Sequence, residues 1–183
     1  MIKIPTQIPD VFVIKPDVFE DCRGYFYETF NKKKCSELGI QYDFVQDNES
    51  LSSKDVLRGL HLQKPPFEQG KLVRVIKGSV LDVAVDIRKN SPHYGKWVSQ
   101  ELTEQNKLML WIPPGFAHGF ITLKDQTIFS YKCTGFYNRD SEQVILWNDP
   151  DIGIKWLVEN PVLSDRDKNG IPFNNFQSPF IYK

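Results

Sequence analysis

Leu72-Val73-Arg74-Val75-Ile76, then Lys77-Gly78-Ser79, then Val80-Leu81-Asp82-Val83-Ala84-Val85-Asp86-Ile87 reads as two β-strands joined by a tight turn. β-Branched residues recur at every second position in both runs, the period of a pleated strand, and Gly78 supplies the positive φ that a short hairpin turn requires. The same period-two pattern, broken by Gly, Pro and Asn, recurs on both sides. It predicts strands over Val11–Ile14, Tyr25–Phe30, Phe44–Glu49, Val56–Leu62, Trp97–Leu102, Lys107–Ile112, Gly119–Thr122, Thr127–Thr134 and Val144–Trp147. About ten short strands do not sit comfortably in one open sheet, so the expected architecture is an all-β, double-sheet jelly roll. One short helix is expected over Lys32–Leu38, stopped by Gly39. The tail beyond Asp149, rich in Pro and Asn, is expected to be irregular with single helical turns. There is no internal repeat, low-complexity stretch or linker, and residues 1–183 read as one domain.

A chain of 183 residues can bury a sizeable core without disulfides or metal staples. Lys plus Arg number 23 and Asp plus Glu also 23, so no excess positive field argues for nucleic acid or an anionic membrane. Any anion site must therefore be local. The three cysteines, Cys22, Cys35 and Cys133, are widely spaced and lack a CxxC pair. That usage fits a reducing compartment, and a cytoplasmic location is expected. No apolar run has the length of a signal peptide or a membrane span.

The chemistry concentrates in Arg58-Gly59-Leu60-His61-Leu62-Gln63, in Lys71, and in Pro113-Pro114-Gly115-Phe116-Ala117-His118-Gly119-Phe120. Alternate strand residues share a face, so His61 and Gln63 point the same way. A metal-binding cupin places two histidines at those positions, adds a glutamate, and completes the site with a remote histidine. Here Glu68 and His118 fit the latter two places, but Gln63 replaces one imidazole and is a poor ligand for a transition metal. The scaffold is cupin-like while the metal set is incomplete. A metal-free pocket holding a base and a cation suggests proton chemistry beside a carbonyl. A metal-dependent oxygenase or isomerase using Gln63, Glu68 and His118 remains the competing reading.

Seven segments in register resemble the dTDP-4-dehydrorhamnose 3,5-epimerase family. They are Arg58–Gln63, Gln69–Val75, Asp82-Val83-x-Val85-Asp86-x-Arg88, Pro113–Phe120, Tyr131-Lys132, Trp147-Asn148-Asp149-Pro150 and Leu163-Ser164-x-x-Asp167, and the resemblance runs from about Phe19 to Asp167. It implies a double-stranded β-helix jelly roll with short helices near the ends, no cofactor, no metal, and a dTDP-linked 4-keto-6-deoxy sugar as substrate. Carbons 3 and 5 flank the ketone, so their protons become removable once the enolate is stabilised.

By that resemblance His61 is the base, since an imidazole can accept a proton near neutral pH, and positioned bases contribute on the order of 10²–10⁴-fold. Asp167 orients it, Tyr131 returns the proton from the opposite face, and Lys71 points at the ketone oxygen. Arg23 and Arg58 match phosphate ligands, and Phe19 the residue that stacks on thymine. Glu28, Gln46, Asp47 and Asn48 match groups that bond the base and its neighbours, and His118 and Glu142 match further substrate contacts. Arg166 stands where the family commonly has lysine, and Leu62 where an aromatic residue often follows the base. Residue type alone would make Tyr131 a core tyrosine and Lys71 a solvated lysine, and leaves His61 balanced between a structural barrel histidine and a base. The resemblance also implies a homodimer in which an N-terminal strand crosses to the partner. A mono-epimerase and a sugar-nucleotide-binding module without turnover are the other readings that the residues allow.

Overall fold

Alternating side chains give each strand two faces, and the chain buries both by closing two sheets on each other and covering their outer surfaces with its ends. The computed structural model describes residues 1–182. In chain order the elements are β1 (Ile2–Pro5), β2 (Phe12–Lys15), β3 (Phe19–Asp21), β4 (Gly24–Phe26), α1 (Lys32–Glu37), β5 (Gln46–Ser52), β6 (Leu57–Gln63) and β7 (Lys71–Lys77). They continue as β8 (Ser79–Asp86), β9 (Trp97–Thr103), β10 (Met109–Ile112), β11 (Phe116–Thr122), β12 (Thr127–Cys133), β13 (Glu142–Val144) and α2 (Asp165–Lys168).

A six-stranded sheet in the order β1-β2-β10-β7-β12-β5 faces a five-stranded sheet in the order β13-β6-β11-β8-β9, and β3–β4 form a separate hairpin. The architecture is the expected cupin-like jelly roll. Between the sheets, Val73, Val75, Leu110, Ile112 and Phe129 meet Val80, Ala84, Leu102, Phe116 and Phe120 in one apolar core. The outer face of the five-stranded sheet, with Val83, Val85 and Ile121, is covered by Ile145, Ile152, Trp156 and Phe176. This is why every residue of β8 is buried and why its sequence runs almost continuously apolar. The tail is pinned by Trp156 Nε1, which donates to the Trp147 carbonyl at 2.7 Å. On the six-stranded side, Phe12, Ile14, Leu72, Met109 and Trp111 lie beneath Cys35 of α1 and Ile40. Asn31 caps α1 by accepting from the Lys34 amide, and Gly39 leaves it at φ +101°.

The β7–β8 turn admits no side chain at Gly78, since a Cβ there would lie 2.3 Å from Thr127 Oγ1. Several boundaries differ from expectation. β5 starts at Gln46 and runs on to Ser52, and strand structure near Tyr25 ends at Phe26. The strand expected over Val144–Trp147 ends at Val144 instead. β1 and β3 were not predicted: both are exposed along their whole length, so they carry no burial alternation and are held by pairing with β2 and β4. Among the described residues no helix is long and apolar enough to cross a membrane.

Candidate active site

His61 lies on the inner face of β6, directly opposite His118 of β11 in the strand register. The two backbones approach closely here because Gly59 faces Gly119; a Cβ on Gly59 would come within 2.5 Å of the Gly119 Cα. Asp167 arrives from outside the sheets on α2. The Ser164 hydroxyl caps that turn, accepting from the Asp167 amide at 3.1 Å and donating to Oδ2 at 2.8 Å. The other carboxylate oxygen, Oδ1, sits 2.6 Å from His61 Nε2. Burial alone would raise the Asp167 carboxyl, but the bond to His61, the imidazole's charge, Ser164 and Arg166 together bring it below the usual carboxylate range. The second ring nitrogen of His61 is left for a substrate.

The facing wall comes from the six-stranded sheet. Tyr131 and Cys133 share the inner face of β12, and Cys133 is registered with Lys71 at the start of β7. Lys71 Nζ lies 5.8 Å from the Tyr131 ring centroid. Burial pulls the Lys71 ammonium below its ordinary value, against the opposing influence of Cys133, Asp82 and Glu142. Burial also pushes the Tyr131 phenol up, so it holds its proton well into alkaline conditions. His118 Nε2 lies 3.0 Å from Asp82 Oδ2 on the floor, where burial raises the Asp82 carboxyl and lowers the imidazole.

His61, Lys71, Tyr131, Arg58, His118, Gln46, Asn48, Glu142 and Arg166 all line one cleft of about 490 Å³. Arg58 reaches Ser52 Oγ at 3.2 Å, and Glu142 takes hydrogen bonds from Arg166 and from the Tyr137 hydroxyl. An imidazole backed by a carboxylate therefore faces a phenol and an ammonium across a space large enough for a sugar. Such a site can take a proton from one face of a carbon beside a ketone, hold the enolate oxygen, and return a proton to the other face. A larger cavity, about 840 Å³, opens elsewhere and is lined by His93, Lys96, Trp97 and Asp151. It contains none of the residues just described, and size alone does not mark the chemistry.

The sequence profile described as dTDP-4-dehydrorhamnose 3,5-epimerase matches residues 5–175. The chain belongs to the dTDP-4-dehydrorhamnose 3,5-epimerase family. It is accordingly an isomerase of that epimerase type. The dTDP-4-dehydrorhamnose 3,5-epimerase of Shigella flexneri is 56% identical over 171 residues, covering 93% of this chain and 94% of the relative. A crystal structure of the Legionella pneumophila epimerase in complex with dTDP-4-keto-L-rhamnose superposes with a TM-score of 0.95, at 46% identity, covering 99% of this chain and 98% of that one. More distant is ChmJ of Streptomyces bikiniensis, described as a 3′-monoepimerase, at 29% identity and a TM-score of 0.88, over 93% of this chain and 87% of that one.

Besides Asp167, which stands behind His61, four residues expected at the epimerase site lie outside the cleft lining. Phe19, 65% exposed, and Arg23, bound to Asp21 at 2.5 Å, line a separate concavity of about 500 Å³ on the β3–β4 hairpin. Glu28 is paired with Lys34 and accepts from Asn31 at 2.9 Å. Asp47 faces outward because strand alternation sets it opposite Gln46 and Asn48, and it bonds Lys132 at 2.9 Å.

Other lining residues were not expected. Ser50 shares the β5 face of Gln46 and Asn48, and its hydroxyl is buried without a partner among the described residues, so the alternation itself could have found it. Tyr137 and Gln69 lie in irregular segments where no periodicity signals them. Of the residues a metal-dependent cupin would use, His118 is engaged with Asp82 and Gln63 with the 136–138 backbone. No group of three or more His, Cys, Asp and Glu side chains forms a metal-binding set among the described residues.

Proposed function

We propose that this chain epimerises carbons 3 and 5 of dTDP-4-keto-6-deoxyglucose, giving dTDP-4-keto-rhamnose. The observation that carries the proposal is the placement of His61, backed by Asp167, on one wall of the cleft and of Tyr131 and Lys71 on the other.

The free His61 nitrogen removes the proton from the carbon beside the ketone, and the C–H electron pair moves into an enolate whose oxygen faces the Lys71 ammonium. The Tyr131 hydroxyl then gives its proton to the opposite face of that carbon. Solvent restores the phenol and discharges the imidazolium, and the cycle repeats at the second carbon. Asp167 stabilises the imidazolium through the 2.6 Å contact. Arg58 and Arg166 supply cations for the pyrophosphate, with Gln46, Asn48, His118 and Glu142 as further polar contacts.

The working unit we propose is a homodimer. Phe19, Tyr25 and Phe26 are large apolar side chains left exposed on one small hairpin, and the Arg23 side chain beside them is 86% exposed. A partner's cleft would receive the hairpin and gain from Phe19, Arg23 and Glu28 the nucleotide contacts that the chain's own cleft lacks. The unpaired thiols Cys22, Cys35 and Cys133 support placement of the dimer in the reducing cytoplasm.

The test is conversion of dTDP-4-keto-6-deoxyglucose followed by NMR, with ring coupling constants reporting the configuration at each carbon. Inversion at both carbons is expected. Inversion at carbon 3 alone would make the protein a mono-epimerase, and unchanged substrate would overturn the proposal.

A further inference from the structure

Tyr137, which lines the cleft, belongs to residues 135–138, which form neither helix nor strand. A backbone of this kind would ordinarily give its hydrogen bonds to water, yet here side-chain amides take them at four successive residues. Gln69 Nε2 donates to the Gly135 carbonyl at 2.7 Å. Gln63 Nε2 donates to the Phe136 carbonyl at 3.4 Å. The Tyr137 amide donates to Gln46 Oε1 at 2.9 Å, and the Asn138 amide donates to Gln63 Oε1 at 2.7 Å. The three glutamines come from β5, from the end of β6 and from the segment before β7, so they converge on one stretch of chain from separate parts of the fold. Between their anchors Tyr137 projects its ring at the cleft and ties its hydroxyl to Glu142 at 3.0 Å.

Gln63 has the most demanding chemistry of the three. It is only 6% exposed, and it must donate to one backbone group while accepting from another two residues later. A neutral amide meets both requirements. An ionised glutamate could not donate to the Phe136 carbonyl, and an apolar side chain would leave the half-buried Asn138 amide without its side-chain partner.

We propose that Gln46, Gln63 and Gln69 form an amide clamp that fixes residues 135–138, and that Gln63 is a positioning residue which acts on bound nucleotide sugar through Tyr137. The position that holds a metal-binding histidine in a metal cupin thus has its own task in this chain. The clamp itself stands on the hydrogen bonds above; the ligand it serves rests on the epimerase reading.

The experiment compares wild type with Gln63→Met, Tyr137→Ala and the double variant by two measurements. Amide hydrogen exchange at Tyr137 and Asn138 in the unliganded protein reads the clamp alone, and calorimetric titration with dTDP reads its effect on the ligand. Losing two hydrogen bonds of ordinary net strength is expected to speed exchange at Asn138 by about tenfold and to raise the dTDP Kd by a similar factor. Gln63→Met added to Tyr137→Ala is expected to weaken dTDP no further, because the route through Tyr137 is already gone. Unchanged exchange in Gln63→Met would overturn the clamp, and losses that multiply in the double variant would overturn the route through Tyr137. Wild type that shows no affinity for dTDP would count against the epimerase reading, while the exchange data would still decide whether the clamp exists. Should Gln63→Met fail to fold, Gln46→Met removes the acceptor of the Tyr137 amide, with faster exchange at Tyr137 expected and unchanged exchange there overturning the clamp.

Discussion

Replacing Asp167 by Asn keeps the size of the side chain and removes its charge, which isolates the electrostatic half of the His61–Asp167 pair. In the native site Oδ1 lies 2.6 Å from His61 Nε2 while Oδ2 accepts from the Ser164 hydroxyl at 2.8 Å. An asparagine that keeps its oxygen on Ser164 turns its NH₂ group toward His61. Nε2 must then accept, the ring proton moves to Nδ1, and the nitrogen facing the cleft loses the lone pair that removes the substrate proton. If the amide turns the other way, the tautomer survives but the imidazolium forms without its counter-charge. A hydrogen bond to a charged group is worth about 1.5–3 kcal/mol, and about 1.4 kcal/mol corresponds to tenfold, so turnover should fall by roughly 10- to 150-fold, more if the wrong tautomer dominates. The assay is the steady-state rate of dTDP-4-keto-6-deoxyglucose conversion, paired with dTDP affinity. The Kd for dTDP should hold, because Asp167 is buried behind the histidine. Turnover within threefold of wild type would refute the role assigned to the pair.

Tyr131→Phe removes the proton donor but not the base; loss of the substrate's α-protons should continue at a measurable rate while inverted product drops by at least about tenfold, and full turnover would contradict the assignment. Lys71→Met removes the cation facing the enolate oxygen and should lower turnover by about 10²–10³-fold, the typical effect of losing one such donor, as read by the same kinetics. Asp167 also sets a pH dependence of stability. Its carboxyl lies below the ordinary value in the fold, so its contribution is present above the unfolded pKa of about 3.9 and is lost as pH falls through the folded value. Urea unfolding should therefore show the full stability gap between wild type and Asp167→Asn at about pH 5, narrowing at pH values below about 4; a gap that widens in acid would contradict this.

What the sequence made legible follows from how each residue is used. The β7–β8 hairpin was readable because β8, buried on both faces, runs almost continuously apolar, and Gly78 marked the turn. β5 was read short because Gln46, Asn48, Ser50 and Ser52 put polar groups on its inner face. Gln46, Asn48 and Ser50 line the cleft and Ser52 accepts from Arg58 beside them, which breaks the apolar rule at the place where binding needs polarity. His61, Lys71, Tyr131 and Asp167 were found through their motifs, although Asp167 and His61 lie 106 residues apart and no local pattern could pair them. Gln63 was visible only as the absence of a metal ligand. Its partners are backbone groups of a loop, which side-chain periodicity does not encode. Phe19, Arg23 and Glu28 matched family positions, but a single chain does not bring them to its own cleft; in the homodimer we propose, they would complete the cleft of a second copy.

Incubation in heavy water with dTDP-4-keto-6-deoxyglucose, read carbon by carbon by NMR, bears most directly on proton removal by His61 and proton return by Tyr131. Solvent deuterium should appear at carbons 3 and 5 of the epimerised sugar, and His61→Asn should suppress labelling at both. Inverted product carrying no solvent label at either carbon, or labelling that survives His61→Asn undiminished, would contradict it.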